Sequence, residues 1–208
     1  MIAIRRRELL VGAAALALVG CNGAGGGTSI SADDMAIGPA DAPVTVIEYA
    51  STTCGHCARF HEEEWEELKT NYIDTGRIRF VFREFPTDPA AVAVAGFQLA
   101  RCNGASAEQY MTRVGELFRQ QQAIFATGSM EGIRGKFIEI GGAAGLSETQ
   151  VMQCINDPAG AERVRRIAEE AARLNVTATP TFFVNGQKLE EAATYENLAR
   201  RIDAALAN

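Results

Sequence analysis

Two short runs of β-branched and aromatic residues, Val44–Tyr49 (VTVIEY) and Ile78–Phe85 (IRFVFREF), precede about ninety residues with helical spacing of their apolar positions. Strand character returns only at Thr181–Val184 (TFFV). This interrupted order constrains the fold more than any other feature. Without the helical block, the order is strand, helix, strand, hairpin, helix, which is a small α/β domain whose halves meet around an insertion. In the second run Ile78, Phe80 and Phe82 alternate with Arg79, Val81 and Arg83. Asn185-Gly186 after the third run is a hairpin turn signal, with Gln187-Lys188-Leu189 as the returning strand.

The intervening stripes predict helices. Val92, Ala95, Leu99 and Cys102 form one stripe; Tyr110, Val114, Leu117 and Phe118 a second; Ile133, Phe137 and Ile140 a third. Ser147-x-x-Gln150 predicts a capping box opening a helix with Val151, Cys154 and Ile155 on one face. Asp157-Pro158 opens a further stripe of Val164, Ile167, Ala168, Ala171 and Leu174. A helix from Cys54 to Ile73 carries Phe60, Trp65 and Leu68, with Glu62-Glu63-Glu64 as a solvated face, and a last helix carries Leu198, Ile202, Ala205 and Leu206. No internal repeat is present.

With 47% apolar and 22% charged residues among 208, the chain is a folded domain rather than a disordered one. Its net charge is −6, and residues 1–20 hold three arginines and one glutamate, so the remainder is more acidic still. This argues against nucleic acid or an anionic membrane surface as an electrostatic partner. No window approaches the roughly eighteen apolar residues of a transmembrane helix.

The cysteines are Cys21, Cys54, Cys57, Cys102 and Cys154, an odd number, so one has a separate fate. Arg5-Arg6-Arg7 followed by the apolar run Leu9–Gly20 has the form of a signal peptide. Its end, Leu18-Val19-Gly20-Cys21, resembles a bacterial lipobox, in which the cysteine is lipidated; Arg6-Arg7-Glu8-Leu9-Leu10 also resembles a twin-arginine export signal. The plainer alternative is a cleaved signal with Cys21 incidental. The Gly/Ser/Ala-rich stretch after it reads as a flexible tether to about Ala40. Export implies a compartment that permits disulfides, with four cysteines left for two pairs.

Cys54-Gly55-His56-Cys57 falls at a strand-to-helix turn. There the free N–H groups and dipole of the helix stabilise a thiolate at Cys54, Cys57 one turn on can close a disulfide, and protonated His56 adds stabilisation. The thiolate is the species that attacks disulfides. A zinc site would need further ligands beyond these cysteines, for which His61 is available; Ala58 removes a haem-attachment reading. His61 has no evident role and reads as a surface helix residue. Glu48 inside the apolar first strand would have a raised pKa if buried and could accept a proton near neutrality; a solvent-facing position is the alternative.

Val44–Tyr49, Cys54-Gly55-His56-Cys57 and Thr177-Ala178-Thr179-Pro180-Thr181-Phe182-Phe183 together resemble the thioredoxin fold. With the all-helical insertion, they resemble the DsbA-like thiol-disulfide oxidoreductases over about residues 38–207. The resemblance implies an α/β thioredoxin-like domain at 41–86 and 176–208, a helical insertion at 87–175, and a signal and tether at 1–20 and 21–40. It implies that Cys54 is the exposed nucleophile and Cys57 the buried resolving thiol. It further implies a cis Thr179-Pro180 bond facing them, which receives an extended peptide by β-augmentation, and makes Glu48 the buried acid that moves the proton of Cys57.

Gly-His in place of Pro-His, and Thr before Pro180, are also seen in disulfide isomerases and leave oxidation against isomerisation or reduction open. Residues 22–43 are too few for a dimerisation domain of the enteric isomerase type, so a monomer is expected. Cys102 and Cys154, on two insertion helices, read as a structural disulfide, with free thiols or a regulatory bond as alternatives. The expected function is introduction of disulfides into exported proteins bearing free cysteines, at the periplasmic cell envelope, without a dissociable cofactor or metal. The family implies reoxidation by a quinone-linked DsbB-like membrane partner. A non-catalytic metal carrier or holdase is the rival from another class.

Overall fold

The computed structural model describes residues 28–207, so the signal-like segment and Cys21 lie outside the described residues. The chain runs β1 (Met35–Ile37), β2 (Val44–Ala50), α1 (Gly55–Glu63), α2 (Trp65–Leu68), β3 (Ile78–Glu84), α3 (Ala90–Arg101), α4 (Ala107–Arg119), α5 (Gln121–Ala126), α6 (Met130–Ala143), α7 (Glu148–Ile155), α8 (Pro158–Arg173), β4 (Thr181–Val184), β5 (Gln187–Lys188) and α9 (Tyr195–Leu206). The strands form one mixed sheet in the order β1-β3-β2-β4-β5. The central β2 is parallel to β3 and antiparallel to β4, which places Glu48 between Phe82 and Phe182. This is a thioredoxin fold with helices inserted between β3 and β4. Among the described residues no helix is long and apolar enough to cross a membrane.

The period of two along each strand decides what each face covers. Val44, Val46, Ala50, Phe80, Phe82, Phe182 and Val184 lie in the larger core with α1, α9 and the inserted helices. Ile47, Tyr49, Val81 and Phe183 form a smaller core with Ile167 and Ala171 of α8. Glu48 belongs by register to the larger core, so it is fully buried rather than solvent-facing.

Three features differ from the sequence reading. The stretch to Ala40 is not all tether: Met35–Ile37 pairs antiparallel with β3, Met35 opposite Phe82 and Ile37 opposite Phe80. Its anchor is long-range, because Asp34 forms a buried ion pair at 2.9 Å with Arg83, which also donates to the Tyr49 hydroxyl at 2.8 Å. The helix expected through Ile73 ends at Glu63 and resumes as α2, followed by a π-helical turn at Lys69–Ile73. Glu64 at the break leaves the solvated acidic run and accepts from the Tyr195 backbone N–H at the start of α9. Finally, a short helix that no apolar stripe marked, α5, follows α4, and Gln121 opens it.

Two inserted helices, α7 and α8, carry the expected caps, and α4 carries one that was not expected. Ser147 and Gln150 form the capping box of α7, Ser106 and Gln109 form one on α4, and Asp157 caps α8 with Pro158 in its first turn. Cys102 at the end of α3 is bonded to Cys154 of α7, which fastens two inserted helices together.

Candidate active site

The turn after β2 delivers Cys54 to the N-cap of α1. The Cys54 N–H donates to the Ser51 carbonyl at 3.0 Å, and the Cys57 N–H donates back to the Cys54 sulfur at 3.4 Å. The two sulfurs form a close pair at 3.3 Å, both free thiols, with Cys54 partly exposed and Cys57 buried. Thr179 and Pro180, joined by a cis peptide bond, lie over the pair, and the Cys54 thiol reaches the Thr179 carbonyl at 3.3 Å.

These surroundings split the two thiols. Cys54 is lowered from 9.0 to about 5. The hydrogen bond from the Cys57 thiol is the main cause; burial opposes it, and the Thr179 hydroxyl and the N–H groups of Cys57 and His56 assist. The Thr179 carbonyl accepts only from the thiol form, so ionisation shifts Cys54 onto those donors. Cys57 moves the other way, raised first by burial, then by its bond to Cys54 and by the charge of Glu48. One thiol is thereby an anion at neutral pH, while its neighbour keeps its proton until something removes it.

The His56 ring is exposed and takes no part in the described hydrogen bonds, while its backbone N–H is among the groups that lower Cys54. His61 corrects the sequence expectation. It is a buried residue, not a surface one: its Nε2 lies 2.8 Å from Oε2 of Glu48, with side-chain exposures of 3% and 0%. The ring stacks on Trp65 at 5.0 Å between centroids and lies against Phe118 of α4 at 4.6 Å. A signal was available, since His61 is four residues after buried Cys57 and therefore on the same helix face.

Sequence reasoning also missed Gln121. Its buried side-chain amide donates to the carbonyls of Thr52 at 2.9 Å and Cys54 at 3.2 Å, so the inserted α5 holds the loop that presents the reactive sulfur. No local pattern marks such a residue, because the bonds span 69 and 67 positions. Among the described residues no cluster of three or more His, Cys, Asp or Glu is arranged for a metal. His61, the extra ligand a zinc reading would use, is turned to Glu48.

A dithiol at a helix N-terminus, split into an anion and a buried acid beneath a Thr-cis-Pro loop, defines a redox protein of the thioredoxin-fold class. The profile of the Thioredoxin family matches residues 31–204, and the chain belongs to that family. Within it the chain is DsbA-like. It superposes on α-DsbA1 of Wolbachia pipientis with a TM-score of 0.75 and 26% identity, covering 86% of this chain and 93% of that one. BdbD of Bacillus subtilis shares the fold, with a TM-score of 0.71 and 21% identity over 84% of this chain and 94% of that one. A Rickettsia prowazekii protein named for protein-disulfide oxidoreductase activity is 33% identical over 178 residues, 85% of this chain and 63% of that protein. The chain thus spans somewhat less than two-thirds of the length of this relative.

Proposed function

We propose that the chain is a thiol-disulfide oxidoreductase that introduces disulfides into exported proteins with free cysteines. The observation that carries this reading is the split pair: a Cys54 thiol lowered to about 5 beside a Cys57 thiol raised by burial. A stabilised thiolate stabilises the reduced protein, which makes its disulfide an oxidant. In the oxidised form a substrate thiolate attacks Cys54, the Cys54–Cys57 bond breaks, and Cys57 leaves with the electron pair and takes up a proton. A second substrate thiolate then attacks the substrate sulfur of the mixed disulfide. Cys54 departs as its stable thiolate, the substrate has lost two electrons, and the protein has gained them. The Thr179-Pro180 loop would align the substrate as an added strand.

The same reading gives a monomer at the periplasmic cell envelope, lipid-anchored through Cys21 after removal of residues 1–20. Its domains are the thioredoxin-like 41–86 and 176–208 and the helical insertion 87–175. It needs no dissociable cofactor and is reoxidised by a quinone-linked DsbB-like membrane partner.

The test is trapping. Cys57→Ala should accumulate mixed disulfides through Cys54 when mixed with oxidised glutathione or a disulfide-bearing protein, and Cys54→Ala should accumulate none, as read by non-reducing electrophoresis and mass. Equal trapping by both variants, or by neither, would remove the assigned roles.

A further inference from the structure

A leaving Cys57 thiolate needs a proton inside a site that water does not reach, since Cys57 and Glu48 are both fully buried. Glu48 has one oxygen on His61 and the other, Oε1, buried without a partner. An unpartnered buried carboxylate oxygen is costly for a merely structural pair, and the charge of Glu48 reaches the Cys57 thiol, which it helps to raise. His61 has committed Nε2 to Glu48, which leaves Nδ1 for the other side of the ring. His61 also lines a groove of about 500 Å³ between α1, α2 and α4, whose walls include Trp65, Met111 and Phe118. The ring packs on Trp65 and Phe118, which fixes its orientation with Nε2 on the carboxylate.

We propose that His61 is the outer station of a proton path from the groove through Glu48 to Cys57. The path deepens the oxidoreductase reading and rests on it. When the Cys54–Cys57 bond breaks, Cys57 sulfur receives the electron pair and takes the single proton shared by His61 and Glu48. The pair is left with one proton fewer and regains it from water at His61. In the reducing direction the steps reverse: Glu48 accepts the Cys57 proton, His61 releases one to the groove, and the Cys57 thiolate attacks the mixed disulfide at Cys54. His61 acts through Glu48 and does not touch the sulfurs.

Besides Glu48 of β2 on its ring, the charged groups that line the groove with His61 are Glu62 on its own helix, Glu66 from α2, Lys69 from the π turn, and Glu108 and Arg119 from α4. Cys57 is one turn away on α1. Carboxylates outnumber cations here, which suits a ring that must recover a proton.

Oxidised wild type, His61→Gln, His61→Ala and Glu48→Gln are reduced with dithiothreitol across pH 5 to 9, with solvent isotope effects and with added imidazole. His61→Gln keeps a hydrogen bond to Glu48 but cannot relay. It should slow reduction, approaching the roughly 10²-fold that a positioned proton-transfer group contributes, and lose one inflection of the pH–rate profile. Imidazole, small enough for the groove, should restore the rate of His61→Ala and not that of Glu48→Gln. A wild-type rate and profile in His61→Gln, or a slow His61→Ala that imidazole leaves slow, overturns the relay. Wild type that fails to exchange at Cys54–Cys57 at all overturns the oxidoreductase reading instead.

Discussion

The Cys54 titration should be visible in the pH dependence of the reduction potential. Its thiol is lowered from 9.0 to about 5 while Cys57 is raised. A folded-state value below the unfolded one contributes stability present above the unfolded value and lost as pH falls through the folded one. The window for the reduced protein therefore runs from about 9 down to about 5. At pH 7 the protein sits roughly two pH units above the folded value, and each is about 1.4 kcal/mol, an upper figure near 3 kcal/mol. Cys54 is partly exposed, so solvent screening brings this to about 1 kcal/mol, or about 20 mV for a two-electron couple.

The slope is the sharper observable. With Cys54 an anion and Cys57 protonated, two electrons bring in one proton between about pH 5.5 and 8.5, and the potential falls by about 30 mV per pH unit. Below about pH 5 two protons enter and the slope doubles to about 60 mV. Equilibration with glutathione buffers at a series of pH values, read by mass after alkylation, gives the curve. At pH 7 the potential should lie nearer the roughly −180 mV of protein disulfide isomerase than the roughly −270 mV of thioredoxin. A slope near 60 mV per unit through pH 7 would mean that Cys54 takes up a proton there, and the argument from the split pair would fail. Raised Cys57 has the opposite linkage: its contribution to stability is complete below the unfolded value near 9 and is lost as pH rises through the higher folded one, so near neutrality Cys57 holds the one proton behind the 30 mV slope.

Other outcomes follow from the surrounding contacts. Replacing Cys102 and Cys154 together with Ala opens a crosslink of sequence separation 52, and should cost about 4 kcal/mol in the chain-entropy model; urea unfolding measures it, while the Cys54–Cys57 exchange should persist. Gln121→Leu strands the buried Thr52 carbonyl and takes one of two donors from the Cys54 carbonyl, and should cost about 1–3 kcal/mol, with faster amide exchange at residues 52–57; unchanged exchange there would deny α5 its hold on the loop.

Much of the site was legible because its chemistry is local. Cys54 and Cys57 are three residues apart, and their placement at a helix start follows from the strand before them and the helical run after. The β-branched run Val44–Tyr49, the alternation in Ile78–Phe85 and the capping residues Ser147 and Asp157 are likewise short-range signals. The Thr179-Pro180 loop became readable only through resemblance, since nothing near it in sequence says what it faces. Sequence left Glu48 undecided between core and solvent, and the register between β3 and β4 settled it.

What only the tertiary structure decided is where long-range contacts overrule local character. His61 looks like an ordinary polar helix residue until Glu48, Trp65 and Phe118 surround it. Gln121 gains its role from carbonyls some seventy positions earlier, and β1 exists because Arg83 holds Asp34 across 49 positions. Periodicity records which side of an element is apolar. A polar side chain inside the fold is stable only with partners, and those partners come from elements that the chain brings together after long excursions, so no local window contains them.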